Sequence, residues 1–201
     1  MLKSILRSFL IVALVASCGP GMDTVSVDES LPPEVQEAIQ AGIDEVEVPL
    51  SMEEEARLGM TKPTGDLVRI THIDYKQPVH AGSGAIDCGD NTAYKKLSHR
   101  WGAFPVLFHI NTAGVTAGVD PLLAKGAMVG AFTTWDNQEH PAGAFFAEGT
   151  DVTALVKVSW APIDGPGKTL AYAQTTYNVK TKKAVKSVVV FDSGDTWEVY
   201  G

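Results

Sequence analysis

Apart from Phe9, every aromatic side chain of this 201-residue chain lies at Tyr75 or beyond, and that asymmetry decides where a large core can form. Aromatic rings bury more area than most other side chains, so a packed domain is expected in the C-terminal part of the chain. Charge divides at nearly the same place. Residues 23–66 hold twelve acids and two bases, a local balance of −10, whereas residues 67–201 hold twelve of each sign. A segment with that charge and no aromatic ring has little to bury, so residues 18–66 read as an acidic tether or pro-segment, and a solvated linker is the plainest form of it. Two short helices are expected inside it. One covers residues 33–46, opened by Pro33-Glu34; the other covers residues 51–58, where Ser51 and Glu54 have capping-box spacing. The net charge of −8 argues against a nucleic-acid partner, because neutralising phosphates needs a basic face. The length suits one globular core better than two.

The first residues carry a different signal. Lys3 and Arg7 precede the apolar run FLIVALVAS, which ends in small residues before Cys18. The run is too short to span a bilayer, which takes about 20 apolar residues, and has the form of an export signal over residues 1–17. Val15-Ala16-Ser17-Cys18 resembles the bacterial lipobox, in which the cysteine is lipidated and becomes the first residue of the mature chain. An extracytoplasmic protein anchored by Cys18 to the cell membrane or the outer membrane is expected, with Cys88 as its only thiol.

From residue 67 the pattern is one of strands and glycine-rich turns. LVRITHIDY, residues 67–75, alternates as a half-buried strand does, and FPVLFHI, residues 104–110, reads as a buried strand. Asp120-Pro121 forms a helix N-cap and first-turn pair, followed by Leu123, Ala127, Ala131 and Trp135 at four-residue spacing, the stripe expected to face the core. Residues 152–160 alternate again, and residues 169–177 and 184–191 are two more strands joined by NVKTKK. The order predicts an α+β fold, a mixed twisted sheet with one long helix packed across it.

Four blocks of this region, in order, resemble the start of the catalytic domain in matrixin-like zinc metalloproteases, the metzincins of the matrix-metalloprotease type. They are RWGAFPVLFHIN (100–111), AFTTWD (131–136), DGPGKTLAYA (164–173) and VFDSGDTWEVYG (190–201). The third is the most specific, resembling the family's Asp-Gly-Pro-Gly-Gly, one residue, Leu-Ala-His-Ala, with Lys168 and Tyr172 in place of the last Gly and the His. The fourth matches Phe-Asp-x-x-Glu-x-Trp, with Asp195 where Glu is usual. The resemblance implies the upper sub-domain of a metzincin fold over residues 67–201.

The chemistry of such an enzyme needs H-E-x-x-H on a helix, so that two imidazoles one turn apart face one zinc and the Glu between them serves as base. The five histidines, His72, His80, His99, His109 and His140, include no pair spaced by four. No catalytic residue is therefore assigned within this chain. The zinc helix of the resemblance falls beyond Gly201, and the expectation is a longer reading frame.

The resemblance also assigns residues that are present. Leu170 and Ala171 lie on the strand that borders the substrate cleft, where an extended peptide adds to an open sheet edge. TLAYAQTTY does not itself say which side is open, so a plain interior strand is the alternative. Asp164, the carbonyls of Gly165 and Gly167, and the carboxylates of Asp192 and Asp195 are the implied calcium ligands, a mixture of oxygens that suits a hard cation. Two turns rich in Asp and Gly for backbone reasons alone are the competing reading. Tyr172 and Val190 stand where the family has the histidines of its structural zinc, so none is expected. Cys88-Gly89 resembles the pro-segment cysteine whose thiolate caps the catalytic zinc; a disulfide partner or an inert buried thiol are its other readings. The expected protein is a lipid-anchored, monomeric zinc endopeptidase precursor acting on polypeptides, with zinc and calcium as its metals. A non-catalytic surface lipoprotein that binds a peptide or protein through a sheet edge is the alternative.

Overall fold

The computed structural model describes residues 27–75, 99–136 and 145–197, with Trp135 described by its backbone alone. The fold is α+β. Eight strands form one mixed sheet: β1 (Glu45–Pro49), β2 (Leu67–Tyr75), β3 (Arg100–Trp101), β4 (Val106–Ile110), β5 (Phe146–Glu148), β6 (Val156–Ala161), β7 (Thr169–Asn178) and β8 (Lys183–Asp192). Their order is β1-β2-β7-β8-β6-β4-β5, with β3 paired beside β8. The first three seams, from β1 to β8, are antiparallel; β8, β6, β4 and β5 run parallel to one another.

Helices pack on both faces. On β8, Val190 belongs to the cluster under α1 (Pro33–Ala41), while its neighbours Val189 and Phe191 pack with α3 (Pro121–Asp136), as the two-residue period of a strand requires. The α3 cluster is the aromatic one: Phe132 stacks on Phe108 at 4.1 Å between ring centres, and Trp160 on Phe191 at 5.4 Å.

The long helix enters where expected. Asp120 Oδ1 accepts the N–H groups of Leu122 and Leu123 at 2.7 and 3.4 Å, satisfying donors that a helix start leaves open. Its inward face, however, is not the expected one. Ala124 is buried, and Met128, Val129 and Phe132 pack beside it, whereas Leu123 is 57% exposed and Ala127 and Ala131 also face outward. The two stripes lie one residue apart, and because this helix is apolar nearly all round, spacing alone could not choose between them. The expected strand over residues 152–160 starts only at Val156; Thr150 and Thr153 bond each other across a turn, leaving Val152 92% exposed.

The largest departure concerns the acidic segment. Its described part is no solvated tether but part of the sheet, so the boundary expected at residue 66 falls inside a continuous fold. The helix expected over 33–46 ends at Ala41, because Gly42 adopts φ +65 and the N–H groups of Gly42 and Ile43 turn back to the carbonyls of Ile39 and Ala38. The chain then extends as β1, whose five residues pair with β2 from Glu45 opposite His72 to Pro49 opposite Val68. Small aliphatics supply the burial that aromatics do not: Leu31, Val35, Ala38 and Ile39 sit against Ile73, Ile163, Tyr172 and Val190. Each large aliphatic side chain so buried contributes roughly 1.5–3 kcal/mol.

The second helix, α2 (Met52–Arg57), follows its sequence signal. The Ser51 hydroxyl accepts the N–H of Glu54 at 3.2 Å and the Glu54 carboxylate accepts the N–H of Ser51 at 2.9 Å, a complete capping box. Glu55, one position on, turns inward and is fully buried. Its carboxylate accepts the backbone N–H groups of Thr64, Gly65 and Leu67 at 2.6, 2.9 and 2.8 Å, closing the loop that leads into β2.

Candidate functional site

The parallel strands β6 and β8 end side by side, and the loops that leave them meet. After Ala161 the chain runs through Ile163-Asp164-Gly165-Pro166-Gly167 into β7; after Asp192 it turns through Ser193-Gly194-Asp195. Asp192 is fully buried and organises both loops. Its Oδ1 accepts N–H groups from Gly194 at 2.7 Å and Ile163 at 3.2 Å, and its Oδ2 accepts that of Asp164 at 3.1 Å. Asp164 in turn accepts from Lys168 and Thr169 through Oδ2, at 3.0 and 3.1 Å, while its Oδ1 is buried with no hydrogen-bond donor. Asp195 is buried close by on the same turn.

The glycines are required here. A Cβ on Gly167 would lie 2.4 Å from Cγ of Asp164, and one on Gly194 would lie 2.5 Å from Cα of Gly165, so the two loops close only because these positions lack side chains. Thr116, before α3, donates to the Ser193 carbonyl at 3.0 Å, and the Trp197 indole donates to that of Asp192 at 2.7 Å.

Burial pushes the Asp192 carboxyl above its ordinary value; its three backbone donors oppose this, and the adjacent Asp164 side chain adds to it. The buried Asp192 carboxylate thus lies beside the half-buried Asp164, one of whose oxygens is buried and unengaged, and carboxylate oxygens are the ligands that a hard cation takes. Among the described residues, no three His, Cys, Asp or Glu side chains are grouped so as to hold a metal ion by themselves. Calcium at this place would therefore draw on the carbonyls of Gly165 and Gly167 as well as on Asp164, Asp192 and Asp195.

The structure sets the Asp164–Gly167 loop against the Asp192–Asp195 turn, without grouping the three carboxylates as metal ligands. It does not leave Leu170 and Ala171 on an edge. Ala171 stands opposite Asp74 of β2 on one side and Phe191 of β8 on the other, and Leu170 lies beside the irregularity between Asp74 and Tyr75. The interior-strand alternative is what is found, because β2 lies along β7 from Leu67 opposite Asn178 to Tyr75 opposite Thr169. Cys18 and Cys88 lie outside the described residues, as do His80 and His140. No helix among the described residues is long and apolar enough to cross a membrane.

A second polar group was not anticipated from the sequence. On the α3 side of the sheet, His72 Nδ1 lies 3.6 Å from Glu45 of β1, the Tyr177 hydroxyl donates to Glu47 at 3.1 Å, and His99 stacks on the Tyr177 ring at 4.7 Å. Burial and the nearby His72 hold the His99 imidazole below its ordinary value. Only strand pairing gathers these residues, so no local spacing could have announced them. Beside them a cavity of about 280 Å³ is lined by His99, Trp101, Phe132, Thr175 and Ser187, among others. It lies towards the opposite ends of β6 and β8 from the aspartates, and so takes no part in their chemistry.

No family model, curated protein or solved structure matches this chain.

Proposed function

We propose that this chain is the sheet half of a lipid-anchored, extracytoplasmic zinc endopeptidase precursor of the matrixin type, whose H-E-x-x-H helix is encoded beyond Gly201. The observation that carries the reading is the pairing of two features that resemblance alone had linked. The Asp164–Gly167 loop and the Asp192–Asp195 turn meet at the buried Asp192 carboxylate, and β7, which leaves that loop, has β8 on one side and on the other only the strands of the acidic segment and its continuation. Without β1 and β2, β7 would be the sheet's last strand.

On this reading the β7 main chain orients an extended polypeptide, and Asp164, Asp192 and Asp195, with the Gly165 and Gly167 carbonyls, hold calcium that braces the start of β7. Zinc, when bound in the complete enzyme, supplies Lewis-acid polarisation and an activated water. None of the 201 residues is given a part in the bond-breaking step.

The test is the longer reading frame. Protein expressed from it should cleave an unstructured polypeptide such as casein only with zinc, and a Glu→Ala change in its H-E-x-x-H should retain zinc and lose cleavage. An intact gene that stops directly after codon 201 would overturn the reading. That result would favour the non-catalytic surface lipoprotein, for which the closed side of β7 speaks. Its partner would have to pair at β1 or β5, the sheet's outer strands.

A further inference from the structure

The cavity on the α3 side of the sheet has its origin in the strand pairing. One side of β8 is taken by β7 from Lys183 to Phe191, while the other is shared by two strands in succession: β3 pairs with Lys183 and Ala184, and β6 begins only opposite Ser187. The sheet has a gap between them, and the cavity is lined from both banks of it, by Arg100 and Trp101 on one and Val156 on the other. Its volume of about 280 Å³ lies at the lower end of small-molecule sites, which run from roughly 300 to 1,000 Å³. That suits a molecule of one ring or two rather than a stretch of peptide.

Flat apolar side chains wall it. Phe132 of α3 and Phe146 of β5 meet at 5.0 Å between ring centres, and the half-buried Trp101 of β3 belongs to the same cluster. The sheet beneath is polar at one row: Thr175 of β7 stands opposite Ser187 of β8, and their hydroxyls lie 3.0 Å apart. A hydrogen bond between them uses one of their two O–H donors, and among the described residues the other has no acceptor.

The charge at this place is positive. Arg100 is exposed, and its guanidinium makes no hydrogen bond or ion pair among the described residues. Lys183 stands opposite it across the β3–β8 pair, and the Lys182 carbonyl accepts its backbone N–H. No Asp or Glu of the described residues lines the cavity, and Glu47, close enough to bear on His99, is engaged by the Tyr177 hydroxyl. In a chain of net charge −8, three bases beside a lining without acids form a local complement to an anion.

We propose that this cavity is a binding site for a small aromatic carboxylate, whose ring lies among Trp101, Phe132 and Phe146 and whose carboxylate meets Arg100 and the unengaged hydroxyl of the Thr175–Ser187 pair. Offset and edge contacts with three aromatic side chains favour a flat ring over an aliphatic chain. The guanidinium fork matches the two oxygens of a carboxylate, and a neutral ring would leave it unused. The site goes beyond the endopeptidase reading and does not depend on it, since it lies towards the opposite ends of β6 and β8 from Asp164 and Asp192.

The test titrates the whole chain with para-fluorophenylacetate and with its amide, both followed by fluorine NMR. The acid should bind about tenfold more tightly than the amide or better, as a charge-assisted hydrogen bond provides. Arg100→Gln, a change at an exposed side chain, should bring the acid to the affinity of the amide while leaving the amide's own affinity and the melting temperature where they were. Nuclear Overhauser contacts from the bound ring should reach the methyl groups of Val156 and Ala184, which line the cavity. Four results would each overturn the proposal: acid and amide binding alike, a preference for the acid that survives in Arg100→Gln, contacts to methyl groups elsewhere, or no binding of either probe at millimolar concentration. None of these readouts involves zinc or cleavage, so this site can fail while the endopeptidase reading stands, and the reverse.

Discussion

Glu55 Oε1 accepts the backbone N–H of Leu67 at 2.8 Å, across twelve residues of chain, and both residues are completely buried. With Thr64 and Gly65 also donating to its Oε2, this one carboxylate stands in for the backbone partners that the loop into β2 lacks.

Replacing Glu55 by Ala leaves three backbone donors without their acceptor and a void beneath the loop. The melting temperature should fall by more than about 5 °C. Glu53→Ala is the control, since its pair with Arg57 is exposed on both sides, and thermal unfolding should move by under about 1 °C.

Acid should loosen the same region. Backbone N–H groups hold the Glu55 carboxyl below its ordinary value against the opposing effect of burial, the Ser51 cap does so for Glu54, and Lys180 does so for Asp66. Groups so depressed contribute stability that is complete above their unfolded values of 4.5 and 3.8 and is lost as pH falls through the lower folded ones. Denaturant midpoints measured from pH 6 downward should therefore decline below about pH 4.5, and less steeply for Glu55→Ala than for the wild type.

Asp192 behaves in the opposite sense. Its raised value favours the protonated form in the fold, so its contribution is complete below 3.8 and lost as pH rises through the folded value. A cation at the two loops removes that loss by another route. Calcium should raise the melting temperature at neutral pH and a chelator should lower it. Asp164→Asn keeps an oxygen for Lys168 and Thr169 and turns an amide donor towards Asp192. It should raise the melting temperature of the chelated protein and abolish the response to calcium. Calorimetry with and without chelator reads both effects, and an identical response in the variant would leave these aspartates as turn residues.

The orientation of α3 can be read by truncation. Leu123→Ala should change stability by no more than about 0.5 kcal/mol, because the side chain already faces solvent. Phe132→Ala removes the ring stacked on Phe108 and should cost about 3 kcal/mol. Denaturant titration distinguishes these values from the reverse order that the four-residue spacing of Leu123, Ala127 and Ala131 suggests.

Anchoring by Cys18 predicts that the mature protein fractionates with membranes and enters detergent. Cys18→Ser should release or mislocalise it; wild-type protein found freely soluble after loss of residues 1–17 would defeat the lipobox reading.

Much of the strand content was legible. The alternation of LVRITHIDY marks β2 over its observed bounds, and β7 and β8 extend one residue or so past theirs. The Ser51–Glu54 and Asp120–Pro121 signals mark two helix starts, since capping is local chemistry between residues two or three apart. The strands β3 and β5 were not legible, being two and three residues long and held by partners distant in sequence. The strand β1 could have been found, because Gly42 ends a helix and EVEV alternates directly after it.

The residues by themselves determined the class of fold, the strands with a two-residue period and the absence of H-E-x-x-H, while the pairing of the Asp-Gly loop with the Asp192–Asp195 turn was implied only by the resemblance. Tertiary structure alone decided which strand lies beside which. Period and propensity describe the faces of a strand and say nothing of its edges, and the backbone groups on those edges are the same for every residue but proline. That is why TLAYAQTTY could not reveal whether Leu170 and Ala171 border an opening, and why an acidic stretch without aromatics could pass for a linker. Its aliphatic side chains find burial only because β7 and the Ile163–Tyr172–Val190 surface are there to receive them.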